Sequence, residues 1–198
     1  SDEDDPVLAR NPVDRLNRVA QWAPVPRATG HIPDERLGDW VEAVQTRLIG
    51  LRRDNEIRDA LLFLLLTGAR ISEVLGDPKV GYPPLRWSAV DLERGVVVFE
   101  GTKNRSDHEL PLPRQLVELL EERRSISRSE CVFADRAGCV PIDLRSAYAR
   151  IEQATGLHVT AHDLRRTFAS VANRLAIPAY TVKRLTNHAA GGDVTQGY

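Results

Sequence analysis

Four points along the chain are candidates for chemistry, and each is weak alone. Arg70 follows a break at Thr67-Gly68-Ala69 and stands where a short helix would begin. Backbone N–H groups at a helix start favour an anion, and a guanidinium adds a two-pronged donor for phosphate oxygens. The plainer reading is a surface arginine that opens a helix and pairs with Glu73 or another acid. Lys103 lies in the polar turn Gly101-Thr102-Lys103-Asn104-Arg105. It is either a solvated hairpin tip or a flexible cation carried to a substrate. His162 and Arg165 are three apart, so on a helix they share a face. Arg166 diverges from Arg165 by about 100° and points elsewhere. An imidazole in a first turn can accept a hydrogen bond or a proton, or it can be satisfied by local backbone. His188 and Tyr198 flank a segment containing Gly191 and Gly192, and mean little by themselves.

The elements that must hold these side chains follow from periodicity. Residues 1–30 read as a linker, with Pro6, Pro12, Pro24 and Pro26 and one helix-compatible stretch over 13–22. Pro33 and Asp34 open a helix to about residue 49, with Leu37, Val41, Val44 and Leu48 at helical spacing. A second helix over 55–66 ends before Gly68 and is apolar on most sides, which predicts burial. A third, short helix starts near Arg70. Val96-Val97-Val98-Phe99 is β-branched and apolar, hence a strand, and 108–112 is its hairpin partner. Residues 113–124 form a helix with Leu116, Leu119 and Leu120 inward, 131–133 a short strand, and 143–154 another helix. Thr160-Ala161-His162-Asp163 fits a capping box that starts a helix to about residue 174. Pro178 opens a last helix to about residue 186. The fold class is therefore mainly α with a small antiparallel β-sheet, an α+β domain.

Composition narrows the function. The 198 residues fit one domain, and 42% hydrophobic with 28% charged residues excludes a disordered chain. The longest apolar run, 60–66, falls far short of the roughly 20 residues of a membrane helix, and no basic-then-apolar leader is present. Cys131 and Cys139 are too few for a disulfide framework and match no zinc pattern. His31, His108, His158, His162 and His188 include no i,i+4 pair, so no metal site is expected. Neither a GxxxxGK[ST] loop nor a Gly-x-Ser-x-Gly elbow occurs. The net charge of −1 argues on its face against a nucleic-acid binder. That sum misleads, because residues 1–5 hold four acids whereas 160–198 holds five bases and two acids.

Taken together, Arg70 in Thr-Gly-Ala-Arg-Ile-Ser-Glu, Lys103 in a hairpin, His162-Asp-Leu-Arg165-Arg-Thr, His188 and Tyr198 occur in one order. That set resembles the catalytic domain of the tyrosine recombinases, the phage integrase family, over residues 32–198. The resemblance implies the DNA breaking-rejoining fold and site-specific DNA recombination through a covalent 3′-phosphotyrosyl intermediate. It implies Tyr198 as nucleophile, His162 as proton acceptor or relay, and Arg70 and Arg165 as the clamp on the non-bridging oxygens. Lys103 would protonate the leaving 5′-oxygen and His188 would hydrogen-bond the phosphate. Glu73 would support the fold or orient Arg70 rather than react. Arg105, Arg166, Lys183 and Arg184 are candidates for contacts to the DNA backbone. No cofactor is implied: two arginines supply the charge a metal would otherwise supply. ATP is not needed either, because the phosphotyrosine keeps the phosphodiester energy. The implied partner is double-stranded DNA, with a homotetramer on two duplexes for a full-length protein and a monomer left open for this length of chain. No membrane is involved, and the implied place of action is the bacterial cytoplasm, at the nucleoid.

Two departures stand out. Thr186-Asn187-His188 replaces the family's usual Leu-Gly-His, although Asn tolerates the left-handed conformation that Gly would supply. Residues 1–30 are too short for the family's N-terminal core-binding domain, so the chain reads as residues 31–198 of catalytic domain behind a linker, cut from a longer integrase. A type IB topoisomerase, with a similar set of residues, is the alternative enzyme. A non-catalytic DNA-binding module that keeps the fold is the alternative outside enzymes.

Overall fold

The computed structural model describes residues 30–79, 81–100, 107–134, 139 and 142–187. The linker expected over 1–30 therefore lies, but for Gly30, outside the described residues. Among the described residues, a 3-10 turn at Asp34–Arg36 is followed by seven α-helices: α1 Leu37–Thr46, α2 Asp54–Thr67, α3 Ile71–Leu75, α4 Arg114–Ile126, α5 Arg145–Thr155, α6 Ala161–Arg174 and α7 Ala179–Leu185. Between α3 and α4 lie the strands β1 Val90–Asp91, β2 Val96–Phe99 and β3 His108–Pro111. They form one antiparallel sheet in the order β1-β2-β3, with Val97 opposite both Val90 and Leu110. The expected architecture, mainly helical with a small antiparallel sheet, is the one observed.

The centre of the molecule is α2. Its run Ala60-Leu61-Leu62-Phe63-Leu64-Leu65 is apolar on nearly every side, and the helix packs along α6 and against α1 and α4. Gly68 ends it with φ +65°, and its N–H closes on the Leu64 carbonyl at 3.0 Å. A methyl group on Gly68 would lie 2.6 Å from the Phe168 ring, so this glycine also sets the approach of α6 to the end of α2.

Of the charged residues in this helix Asp59 alone is buried, and it is fully partnered. Asp59 accepts Arg123 Nε at 2.8 Å and Arg58 Nε at 2.8 Å, and Arg123 Nη2 also closes on it. Arg123 is itself buried and stacks over Phe133, tying α4 to α2. Arg123→Ala strands a buried carboxylate, and we expect a loss of about 3–5 kcal/mol in urea unfolding. Replacing Asp59 and Arg123 together by apolar residues should cost much less.

Three local readings need correction. The first helix, expected to run from Asp34 to residue 49, begins as the 3-10 turn and ends at Thr46. Gly50 takes φ +83° and donates its N–H to Asp54 Oδ2 at 3.0 Å, so the chain turns there to start α2. The triplet 131–133 is not a strand: Cys131 makes an isolated bridge to Arg86, and the chain turns at Val132 and Phe133. Its apolar character reflects burial alone, since all three side chains enter the core. The cysteines are not independent either, because Cys131 and Cys139 form a disulfide. The strand β1 had no sequence signal, being two residues long.

Candidate active site

The helix α6 begins as its sequence predicts. Thr160 precedes it, and Asp163 Oδ2 accepts both the Thr160 N–H at 3.0 Å and the Thr160 hydroxyl at 2.6 Å. Asp163 Oδ1 accepts Arg166 Nη1 at 3.2 Å, which holds Arg166 to the flank of the helix. The next free amide, Ala161 N–H, is capped by the Tyr148 hydroxyl oxygen at 3.0 Å. That phenol is pushed up to about 12, chiefly by burial. His162 is exposed in the first turn, and Arg165 is buried one turn on.

Arg70 comes from a distant part of the sequence, at the start of α3. Glu73 fixes it twice: one carboxylate oxygen accepts the Arg70 N–H and the other accepts Nη1, both at 2.8 Å. The pairing with Glu73 named in the plainer reading is present, and it orients the guanidinium. Glu73 is buried, so the side chain has one arrangement rather than many.

The two arginines then meet at the end of α7. Arg70 Nη2 donates to the Asn187 carbonyl at 2.8 Å, and Arg165 Nη2 donates to the neighbouring carbonyl of Thr186. Arg165 Nη1 bonds the Gly68 carbonyl at 2.7 Å. Three distant parts of the sequence, the end of α2, the middle of α6 and the end of α7, are thus joined through one guanidinium. Asn187 sits at φ +48°, the left-handed conformation expected where the family usually has glycine. The substitution keeps the turn.

This arrangement concentrates positive charge. Burial and then the Arg70 charge pull Arg165 down to about 10, with Glu73 opposing them. Arg165 stays cationic at neutral pH, but it is a cation short of counter-charge. An anion placed against Arg70 and Arg165 relieves that deficit.

The sheet is tied to the same place. Phe99 and His108 face each other at the loop end of the β2–β3 ladder, with rings stacked 6.3 Å apart. His108 Nε2 lies 3.1 Å from the Leu185 carbonyl; a carbonyl only accepts, so Nε2 carries the proton. His108, the first residue of β3, is thereby held beside the end of α7.

Lys103, Arg105, His188 and Tyr198 lie outside the described residues. Among the described residues no group of histidine, cysteine and acidic side chains could hold a metal ion, and no helix is long and apolar enough to cross a membrane.

A sequence profile of the phage integrase family matches residues 42–198. The chain belongs to the phage integrase family. It is 30% identical over 151 residues to a tyrosine recombinase XerA of Thermococcus kodakarensis, covering 72% of this chain and 51% of that protein. It is 29% identical over 171 residues to the prophage integrase IntF of Escherichia coli K12, covering 82% of this chain and 33% of the relative. The chain thus spans about half the length of the XerA relative, and less of IntF. Among solved structures, an XerA recombinase matches with TM-score 0.62 and 19% identity, over 85% of this chain and 58% of the other. A lambda integrase dimer bound to a COC′ core site matches with TM-score 0.63 and 18% identity, over 87% and 62%. These likenesses place the fold with the catalytic domains of tyrosine recombinases.

Within this integrase fold the sequence motifs left several contributors unnamed. The carbonyls of Gly68, Thr186 and Asn187 carry no side-chain signature, and His108 and Tyr148 act through single backbone contacts. Asn187 alone gave a sign, because it replaces a glycine. Asp163, read only as a cap, also has a pH signature. Burial raises its pKa, but the Thr160 hydroxyl, the Thr160 amide and Arg166 outweigh that and hold the carboxyl below its ordinary value. A depressed carboxylate contributes stability above its unfolded pKa of about 3.9 and loses it as pH falls through the lower folded value. In melting curves taken from pH 6 downward, Asp163→Asn should start less stable and flatten the acid limb.

Proposed function

We propose that the chain is the catalytic part of a site-specific DNA recombinase that cuts and rejoins double-stranded DNA through a covalent 3′-phosphotyrosyl intermediate. The observation that carries this reading is the convergence of Arg70 and Arg165, drawn from distant parts of the chain onto the adjacent carbonyls of Asn187 and Thr186, with Glu73 holding Arg70. Such a pair fits the two non-bridging oxygens of a phosphodiester. Those oxygens gain charge as a nucleophile adds, so fixed guanidiniums favour the transition state over the ground state.

In this reading Tyr198 Oη attacks the scissile phosphorus and the 5′-oxygen leaves. A bond to the phenolic oxygen forms as the bond to the 5′-oxygen breaks. The phenol proton passes toward His162, which stands exposed at the start of α6. Lys103 gives a proton to the departing oxygen. His188 donates to the phosphate. Arg166, Lys183 and Arg184 serve the flanking DNA backbone; the last two are exposed at the end of α7. Rejoining is the same step reversed, with a new 5′-hydroxyl attacking the phosphotyrosine. We extend this reading to a homotetramer on two duplexes for the full-length protein, acting on DNA in the cytoplasm. The named relatives belong to Thermococcus as well as to Escherichia coli, so the host is left wider than bacteria.

The test is incubation with a nicked suicide duplex in EDTA, followed by a denaturing gel. A protein–DNA adduct is the expected result. Relaxation of plasmid lacking any recombination site would favour the topoisomerase reading, and binding without an adduct the non-catalytic one.

A further inference from the structure

The chain just ahead of α1 lies directly on α6. The Ile32 N–H donates to the Thr167 hydroxyl oxygen at 2.9 Å, across 135 residues of sequence. That hydroxyl spends its own proton on the Asp163 carbonyl at 2.8 Å, so it both accepts from the incoming chain and donates within α6. Ile32 and Thr167 are each 1% exposed. Two residues earlier, Gly30 passes so near α6 that a methyl group on it would lie 2.6 Å from Asp163 Oδ1 and 3.1 Å from its carboxyl carbon. A little further on, Asp34 pairs with Arg174 at 2.9 Å.

These contacts fall on one line. Thr167 is four residues after Asp163 and Arg174 eleven, so on a helix they lie within about 40° of one another. Arg165 is two residues from Asp163, about 200° around, on the far side. The helix is gripped from that side by Gly68, through its carbonyl to Arg165 and its close approach to Phe168. It is gripped on the near side by residues 30–34. Displacing Asp163 would free the Thr160 end of the helix and move His162, its immediate neighbour.

We propose that residues 30–34 form a strap that sets the position of α6, with Gly30 and Thr167 as positioning residues for His162 and Arg165. Its catalytic consequence rests on the recombinase reading above. Anything that alters the path of the chain at Gly30 acts on the helix bearing His162 and Arg165 with no intervening element.

The experiment compares the full chain with Gly30→Ala, Thr167→Val and Thr167→Ser. Two readouts are taken: amide exchange at Thr160, whose N–H rests on Asp163, and covalent capture of the nicked duplex. Gly30→Ala should speed exchange at Thr160 about tenfold, the loss of one hydrogen bond of ordinary net strength. Capture should slow by about tenfold to a hundredfold, as a small misplacement of reacting groups does, with affinity for uncut DNA unchanged. In an Asp163→Ala background, Gly30→Ala should slow capture no further. Thr167→Val should slow capture and Thr167→Ser restore it. Unchanged Thr160 exchange in Gly30→Ala overturns the strap. Raised exchange with normal capture, or additive effects with Asp163→Ala, overturns the positioning role. A wild-type chain that forms no adduct overturns the recombinase reading instead, and the exchange measurement still decides the strap.

Discussion

Arg165→Ala should lower the rate of covalent capture of nicked DNA by about two to three orders of magnitude, the usual cost of removing one fixed donor from a developing oxyanion. The side chain has two jobs, and the substitutions separate them. Its Nη1 and Nη2 hold the Gly68 and Thr186 carbonyls. Alanine leaves these acceptors without their donor, so part of the loss would be structural. Arg165→Lys keeps the charge but has no planar fork to reach both carbonyls and a phosphate. It should therefore remain close to the alanine variant in capture rate while melting nearer the wild type. Arg70→Lys should behave alike, since Glu73 and Asn187 already occupy two of its donors. Capture rates measured by quenched time courses in EDTA check this. A lysine variant with wild-type capture would show that charge alone suffices and that the carbonyl anchoring is incidental.

Tyr198→Phe should abolish capture altogether while leaving binding of the uncut duplex intact. In the proposed mechanism the loss is absolute rather than graded, because the phenolic oxygen of Tyr198 is the atom that would join the DNA. The chain has three other tyrosines. Tyr148 accepts the Ala161 amide inside the fold and is pushed up to about 12 by burial, so it is a poor nucleophile. Tyr82 is raised above its ordinary value by burial and by Glu73. Tyr180 is exposed on α7 and serves as the control: Tyr180→Phe should capture DNA as the wild type does. Gel-shift and denaturing-gel assays on the same samples separate binding from attachment.

Sequence periodicity foretold some of this architecture closely and the rest not at all. The helix Ala161–Arg174 and the strand Val96–Phe99 match expectation, because each has a local signal: a Thr-x-x-Asp cap in the first, a β-branched run in the second. The 3-10 turn at Asp34–Arg36, the two-residue strand β1 and the turn at 132–133 have none; each follows from tertiary contacts that local composition does not encode. The same division runs through the site. Arg70, His162 and Arg165 stand out in the sequence as candidates because their side chains are chemically distinctive and their order matches a family. Arg70 and Arg165 are shown meeting at the end of α7, whereas the groups that align them are backbone carbonyls at 68, 186 and 187. A carbonyl is present at every residue, so no sequence pattern marks the ones that matter. Gly30 is the extreme case: its importance is the absence of a side chain, visible only once Asp163 is seen against it.

The most direct test of the account is to map the trapped adduct. The protein is incubated with the nicked duplex in EDTA, denatured and digested, and the nucleotide-bearing peptide is sequenced by mass spectrometry. The account predicts a single site, a 3′-phosphoryl nucleotide on Tyr198. An adduct on Tyr82, Tyr148 or Tyr180, or on a residue that is not tyrosine, would contradict it.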